Sequence, residues 1–129
     1  MKARKNIIFT FLILISLAGF AQESLNEKQL KKASEMATVS DKLMQDSLSL
    51  TEEQIPKVSE INLDFSKKMI ALFAKPGSKF GKIGDMKKNA KDRNSQLEKV
   101  LNSEQMEIFE DKVESKIKKE MRKIVNKDS

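Results

Sequence analysis

Lysine is the residue type most able to do chemistry in this chain. Residues 75–93 hold Lys75, Lys79, Lys82, Lys87, Lys88, Lys91 and Arg93 against Asp85 and Asp92. Residues 112–127 add Lys112, Lys116, Lys118, Lys119, Arg122, Lys123 and Lys127 against Glu114 and Glu120. An ammonium group is a compact, strongly hydrated point charge without the planar fork that Arg brings to two-point recognition. Such runs suit loose attraction of anionic groups, and a solvated helix face is the plainer alternative. The chain contains no His, Cys, Trp or Tyr. Cys-His and Ser-His-Asp nucleophiles, ordinary zinc sites and disulfides are thereby excluded. Asp and Glu are scattered among Lys at helical spacing, and no carboxylate pair stands out for acid-base work. Glu114 with Lys118 and Glu120 with Lys123 read as surface pairs worth a few tenths of a kcal/mol. Gly77, Gly81 and Gly84 lack the preceding strand and the GK[ST] ending of a phosphate loop. The expectation is a protein that is not an enzyme and uses neither cofactor nor metal.

Two short motifs stand out by their repetition. In Leu50-Thr51-Glu52-Glu53-Gln54-Ile55, Thr51 reads as a helix N-cap and Gln54 sits at N3, closing a capping box. Leu50 and Ile55 fit the hydrophobic staple, and Glu52 and Glu53 lie where the helix dipole favours negative charge. Leu101-Asn102-Ser103-Glu104-Gln105-Met106 repeats these roles, with Asn102 as the cap. Leu50, Thr51 and Gln54, with Leu101, Asn102 and Gln105, therefore predict two helix starts of the same design, one in each half of the chain.

The rest of the sequence supplies the helices. Apolar residues step by three and four through Ile55, Val58, Ile61, Phe65, Met69 and Leu72. They do so again through Ile83, Met86, Ala90, Leu97, Val100 and Leu101, interrupted by Arg93, and once more from Met106 to Ile124. A weaker stripe crosses residues 25–48, and the methionines on these stripes read as core or seam residues. No stretch alternates with period two, so no strand is expected. The predicted elements are helices near 25–47, 52–74, 85–100 and 103–126, with KPGSKFGKIG (75–84) as the one clear loop.

The N-terminus has a different character. Lys2, Arg4 and Lys5 precede an apolar run from Ile7 to Ala18, and Gly19-Phe20-Ala21 places small residues before Gln22. This is the plan of a secretory signal peptide, predicting cleavage of residues 1–21 and export of a single domain over 22–129, which the family resemblance given below would place in the periplasm. An uncleaved anchor is the alternative, although the run is shorter than the roughly 20 residues of a span. The formal charge of +6 then falls to +3, because the leader carries three basic residues and no acidic one. Export argues against nucleic acid as a partner, and leaves weak contact with an anionic membrane open.

The paired motifs, behind a signal peptide in a small, helical, Lys-rich chain, resemble the LTXXQ-motif family of periplasmic stress proteins, the Spy/CpxP-like proteins. Leu50-Thr51-Glu52-Glu53-Gln54 matches that motif fully. Leu101-Asn102-Ser103-Glu104-Gln105 matches it at Leu and Gln, with Asn in the capping place of Thr. The stretch Phe20-Ala21-Gln22 and the many Lys and Asn look like exported proteins of Bacteroidota. The resemblance implies an all-α fold of four helices in a bent, elongated hairpin arrangement that pairs as a homodimer. It implies an ATP-independent chaperone or stress adaptor binding unfolded or partly folded envelope proteins. Its alternatives are a regulatory partner of an envelope-stress sensor kinase and an amphipathic membrane-surface protein. The expected client-binding residues are Met69, Phe73, Lys75, Lys79, Phe80, Lys82, Lys87, Lys88, Lys91 and Arg93. Metal-responsive relatives use His, which this chain lacks.

Overall fold

The computed structural model describes residues 25–127. The expected signal peptide, residues 1–21, lies outside them. Among the described residues four helices make up the fold. They are α1 (Glu27–Leu48), α2 (Gln54–Ala74), α3 (Lys79–Glu98) and α4. The last runs through Ser103–Ile108, a π-helical turn at Phe109–Val113, and Glu114–Asn126. Among the described residues there is no strand, and no helix is long and apolar enough to cross a membrane.

The helix starts follow from side-chain caps. Asn102 Oδ1 accepts from the Gln105 amide at 2.8 Å, and Gln105 Oε1 accepts from the Asn102 amide at 3.0 Å. Thr51 and Gln54 exchange the same two bonds at 3.2 and 3.0 Å, but across a turn at Glu52 and Glu53, so that α2 begins at Gln54 rather than at 52. A third box closes α1, where Asn26 and Gln29 bond reciprocally at 2.8 and 3.0 Å. At α3, Ser78 Oγ accepts from the Gly81 amide at 3.3 Å, so the helix begins at Lys79 rather than at 85. The serine cap outweighs the glycines as a local signal: Gly81 and Gly84 lie inside the helix, and the loop shrinks to residues 75–78. Gly77, at φ +119°, is the glycine that this turn requires. The α1–α2 corner uses no glycine and places Ser49 in the left-handed region instead, at φ 51°.

The core lies between α1, α2 and α4. Met36, Met44 and Leu48 of α1 pack with Val58 and Phe65 of α2 and with Phe109, Val113 and Ile117 of α4. Among these, Asn62 is buried and donates to Asp41 Oδ1 at 2.8 Å, while Ser59 donates to Asp41 Oδ2 at 2.8 Å, which fixes how α1 lies on α2. Helix α3 packs on α2 and buries only Arg93 and Leu97. Helix α1 packs on α2 on one side and on α4 on the other. The four helices therefore close on three seams, and the fourth, between α3 and the C-terminal part of α4, is left open.

Candidate functional site: an open seam with basic walls

The open seam begins at the two corners, which hold each other. Gln54 Nε2 donates to Gln105 Oε1 at 2.8 Å, and Gln105 Nε2 donates back to Gln54 Oε1 at 3.0 Å. The second proton of Gln54 goes to the Val100 carbonyl just beyond α3, at 3.0 Å. The second proton of Gln105 goes to the Leu48 carbonyl at the end of α1, at 3.1 Å. With the bonds to Thr51 N and Asn102 N, each amide uses both of its acceptor positions and both of its donors. Each glutamine thus starts its own helix and ties off the helix of the opposite hairpin, satisfying a carbonyl that a helix end otherwise leaves open.

Beyond the corner, Arg93 bridges α3 to α4. Its side chain is only 4% exposed, and its Nη2 donates to Glu114 Oε2 at 2.5 Å. Asn94 Nδ2 donates to the same oxygen at 3.1 Å. The guanidinium carbon lies 4.2 Å from the centre of the Phe65 ring and 5.2 Å from that of Phe109. A weakly hydrated planar cation stacked on aromatic faces and paired with a carboxylate tolerates this burial. Desolvation still pushes its pKa below the ordinary guanidinium value, and Glu114 works in the opposite direction.

The π-helical turn accounts for this meeting. In an α-helix, residues five apart lie about 140° apart around the axis. The Glu114 amide instead donates to the Phe109 carbonyl, an i→i+5 bond. One wide turn swings Glu114 back over Phe109, so that both reach Arg93. Glu114 is therefore not the surface partner of Lys118 that its spacing suggests. Glu120 and Lys123 do pair, at 3.1 Å.

From this bridge outward, α3 and α4 are the walls of a groove of about 1030 Å³. Phe65, Met69 and Phe73 of α2 form its floor. Ile83, Met86 and Ala90 face it from α3, and Met121 and Val125 face it from α4. Lys79, Lys87 and Lys91 stand on the α3 wall, with Lys118 and Arg122 on the α4 wall. All five are exposed, and none has an ion-pair or hydrogen-bond partner among the described residues. Glu98 and Glu110 sit at the corner end. The potential therefore runs from mixed at the corner to positive at the open end. No group of three or more His, Cys, Asp or Glu able to hold a metal ion occurs among the described residues.

A family profile described as "Domain of unknown function (DUF4890)" matches residues 21–109. The chain belongs to the DUF4890 family. No curated protein and no solved structure matches it. The part of this DUF4890 chain covered by the profile includes α1, α2, α3 and the Ser103–Ile108 segment of α4, so the α4 wall of the groove lies beyond it.

The groove gathers Met69, Phe73, Lys79, Lys87, Lys91 and Arg93 from among the residues expected to bind clients. Two of these are buried in the described structure. Arg93 is buried and paired, and Met69, 4% exposed, belongs to the floor. Lys82 lies outside the lining: its ammonium donates to the Phe73 carbonyl at 3.4 Å and to the Lys75 carbonyl, capping the end of α2. Lys75, Lys88 and Phe80 lie outside the groove lining. Phe80 is in the first turn of α3 rather than in a loop, and it is 86% exposed. Sequence reasoning missed Glu114, Met121 and Val125, and it did not join Lys118 and Arg122 to the α3 lysines. The basic run at 112–127 was the available signal for the two cations.

Proposed function

We propose that this DUF4890 protein is an exported, ATP-independent chaperone or stress adaptor of the cell envelope. In this reading, the open seam holds unfolded or exposed segments of other proteins. The observation that carries it is the combination of an apolar floor with five exposed cations on its walls that have no partner among the described residues. Charge attracts a client from a distance, and Phe73, Ile83, Met86 and Val125 hold it at contact range. Methionine side chains at the groove adapt to varied surfaces. The resemblance of Leu50–Gln54 and Leu101–Gln105 to the LTXXQ motif supports the same reading. So does the leader-like sequence of residues 1–21, which gives a periplasmic protein beginning at Gln22. No bond is made or broken, and neither nucleotide nor metal takes part.

The test is suppression of light scattering from an aggregating client by residues 22–129, which contain the whole described fold. Suppression without ATP at low salt, weakening as salt rises, is expected, because exposed charges are screened within about 8–10 Å at physiological ionic strength. Absence of suppression at molar excess and low salt overturns the reading. Capture of one saturable envelope partner in place of many clients would favour the sensor-kinase regulator instead. The homodimer implied by the resemblance belongs to this reading, and sedimentation of the same material measures it.

A further inference from the structure

The walls of the groove are regular enough to say what shape of client segment it takes. We infer that the seam accepts an amphipathic α-helix bearing carboxylates on both flanks of its apolar stripe, lying with its C-terminus toward the open end. This deepens the chaperone reading and rests on it.

Shape is the first support. The groove stands where the fourth seam of a four-helix packing would be, and its sides are themselves helices. Ile83, Met86 and Ala90 are spaced by three and four along α3, as are Met121 and Val125 along α4. Such rows form ridges and grooves into which the side chains of another helix interdigitate. The α3 wall from Lys79 to Lys91 rises about 18 Å, enough for about three turns of a helix lying alongside it.

Charge supplies the rest. Lys87 and Lys91 stand on one wall and Lys118 and Arg122 on the other, so carboxylates are matched on both flanks of the occupant. The C-terminal end of a helix carries partial negative charge and its N-terminal end partial positive charge. Lys79 and Arg122 toward the open end and Glu98 and Glu110 at the corner match that polarity. A second copy of the chain is a poor occupant. The apolar faces of α1, α2 and α4 are committed to the core, and α3 brings lysines to a lysine-lined groove.

Fluorescence anisotropy of residues 22–129 with labelled peptides of about three turns tests this. One peptide carries Leu at helical spacing flanked by Glu. A second replaces each Glu by Lys, and a third places Pro at its centre. The Glu peptide should bind at least about tenfold tighter than either of the others. It should gain helical circular dichroism on binding and weaken with salt. Lys118→Glu with Arg122→Glu, both exposed, should reduce its affinity by a similar factor while leaving the melting curve in place. Equal binding of the Pro peptide overturns the helical occupant, and equal binding of the Lys peptide overturns the charge match. Binding to phosphatidylglycerol vesicles but to no peptide assigns the groove to a lipid surface and also overturns the inference. If client aggregation is suppressed and the Glu peptide does not compete, this inference falls and the chaperone reading stands. If neither occurs, both fall.

Discussion

Replacing Gln54 and Gln105 by Ala, singly and together, distinguishes a pair of helix caps from a brace between hairpins. Each side chain makes four hydrogen bonds, two of them shared with the other glutamine. A net hydrogen bond is worth roughly 0.5–1.5 kcal/mol, and the partly wet corner places these toward the lower end. Loss of four bonds predicts about 3 kcal/mol for each single variant. The double variant loses six distinct bonds rather than eight, which predicts about 4–5 kcal/mol. The coupling is then about 1–2 kcal/mol, outside the roughly 0.3–0.5 kcal/mol within which independent sites add. A domain of this size has about 5–15 kcal/mol in all, so each variant should shift a urea midpoint clearly. The assay is urea unfolding followed by far-ultraviolet circular dichroism, with Thr51→Ala and Asn102→Ala as cap-only controls costing about 1 kcal/mol each. Additive glutamine variants that cost no more than the controls would refute the brace.

Other consequences follow from individual residues. Glu114→Ala should destabilise by about 2–3 kcal/mol in the same assay, because it strands the buried Arg93; water reaching the partly exposed site keeps this below the 3–5 kcal/mol of a fully buried pair. Arg93→Met with Glu114→Ala should recover much of that loss, since an apolar replacement removes the uncompensated charge. Ser49→Gly should stabilise by about 0.5–1 kcal/mol, as measured by thermal melting, by relieving the left-handed backbone at φ 51°. Glu60 has a buried oxygen without a partner among the described residues, and burial raises its pKa above 4.5. The folded state thus holds this proton more tightly than the unfolded chain, and stability falls as pH rises from 4.5 through the raised value. Glu60→Gln should therefore raise the melting temperature at pH 7, with the gain vanishing well below pH 4.5.

The local parts of this fold were legible because caps and stripes are local. Thr51 with Gln54 and Asn102 with Gln105 announce helix starts within four residues, and the apolar stripes of α2 and α4 identify the buried faces. Leu25-Asn26-Glu27-Lys28-Gln29-Leu30 carries the same pattern and the same box, and was open to the same reasoning. The union of Gln54 with Gln105 was not legible, because a capping box fully explains each residue and the bond spans 51 positions. Arg93 looked like a break in a stripe, since a charge among apolar residues is ordinarily solvated. Its burial depends on Phe65, Phe109 and Glu114, which only packing brings together. The π-helical turn has the same origin: local sequence gives no reason for an i→i+5 bond until Glu114 has Arg93 to reach. Runs of lysine showed that cations were abundant, but not which of them faced an apolar floor.

The most direct measurement of the central claim is hydrogen exchange of residues 22–129 with and without an excess of an unfolded, aggregation-prone client. The account predicts slower exchange confined to the groove, that is to α3, to Glu114–Asn126 of α4 and to the part of α2 from Phe65 to Phe73 that forms the floor, with α1 unchanged and the effect lost on adding salt. Protection along α1 instead, or no protection while the client is held soluble, would contradict it.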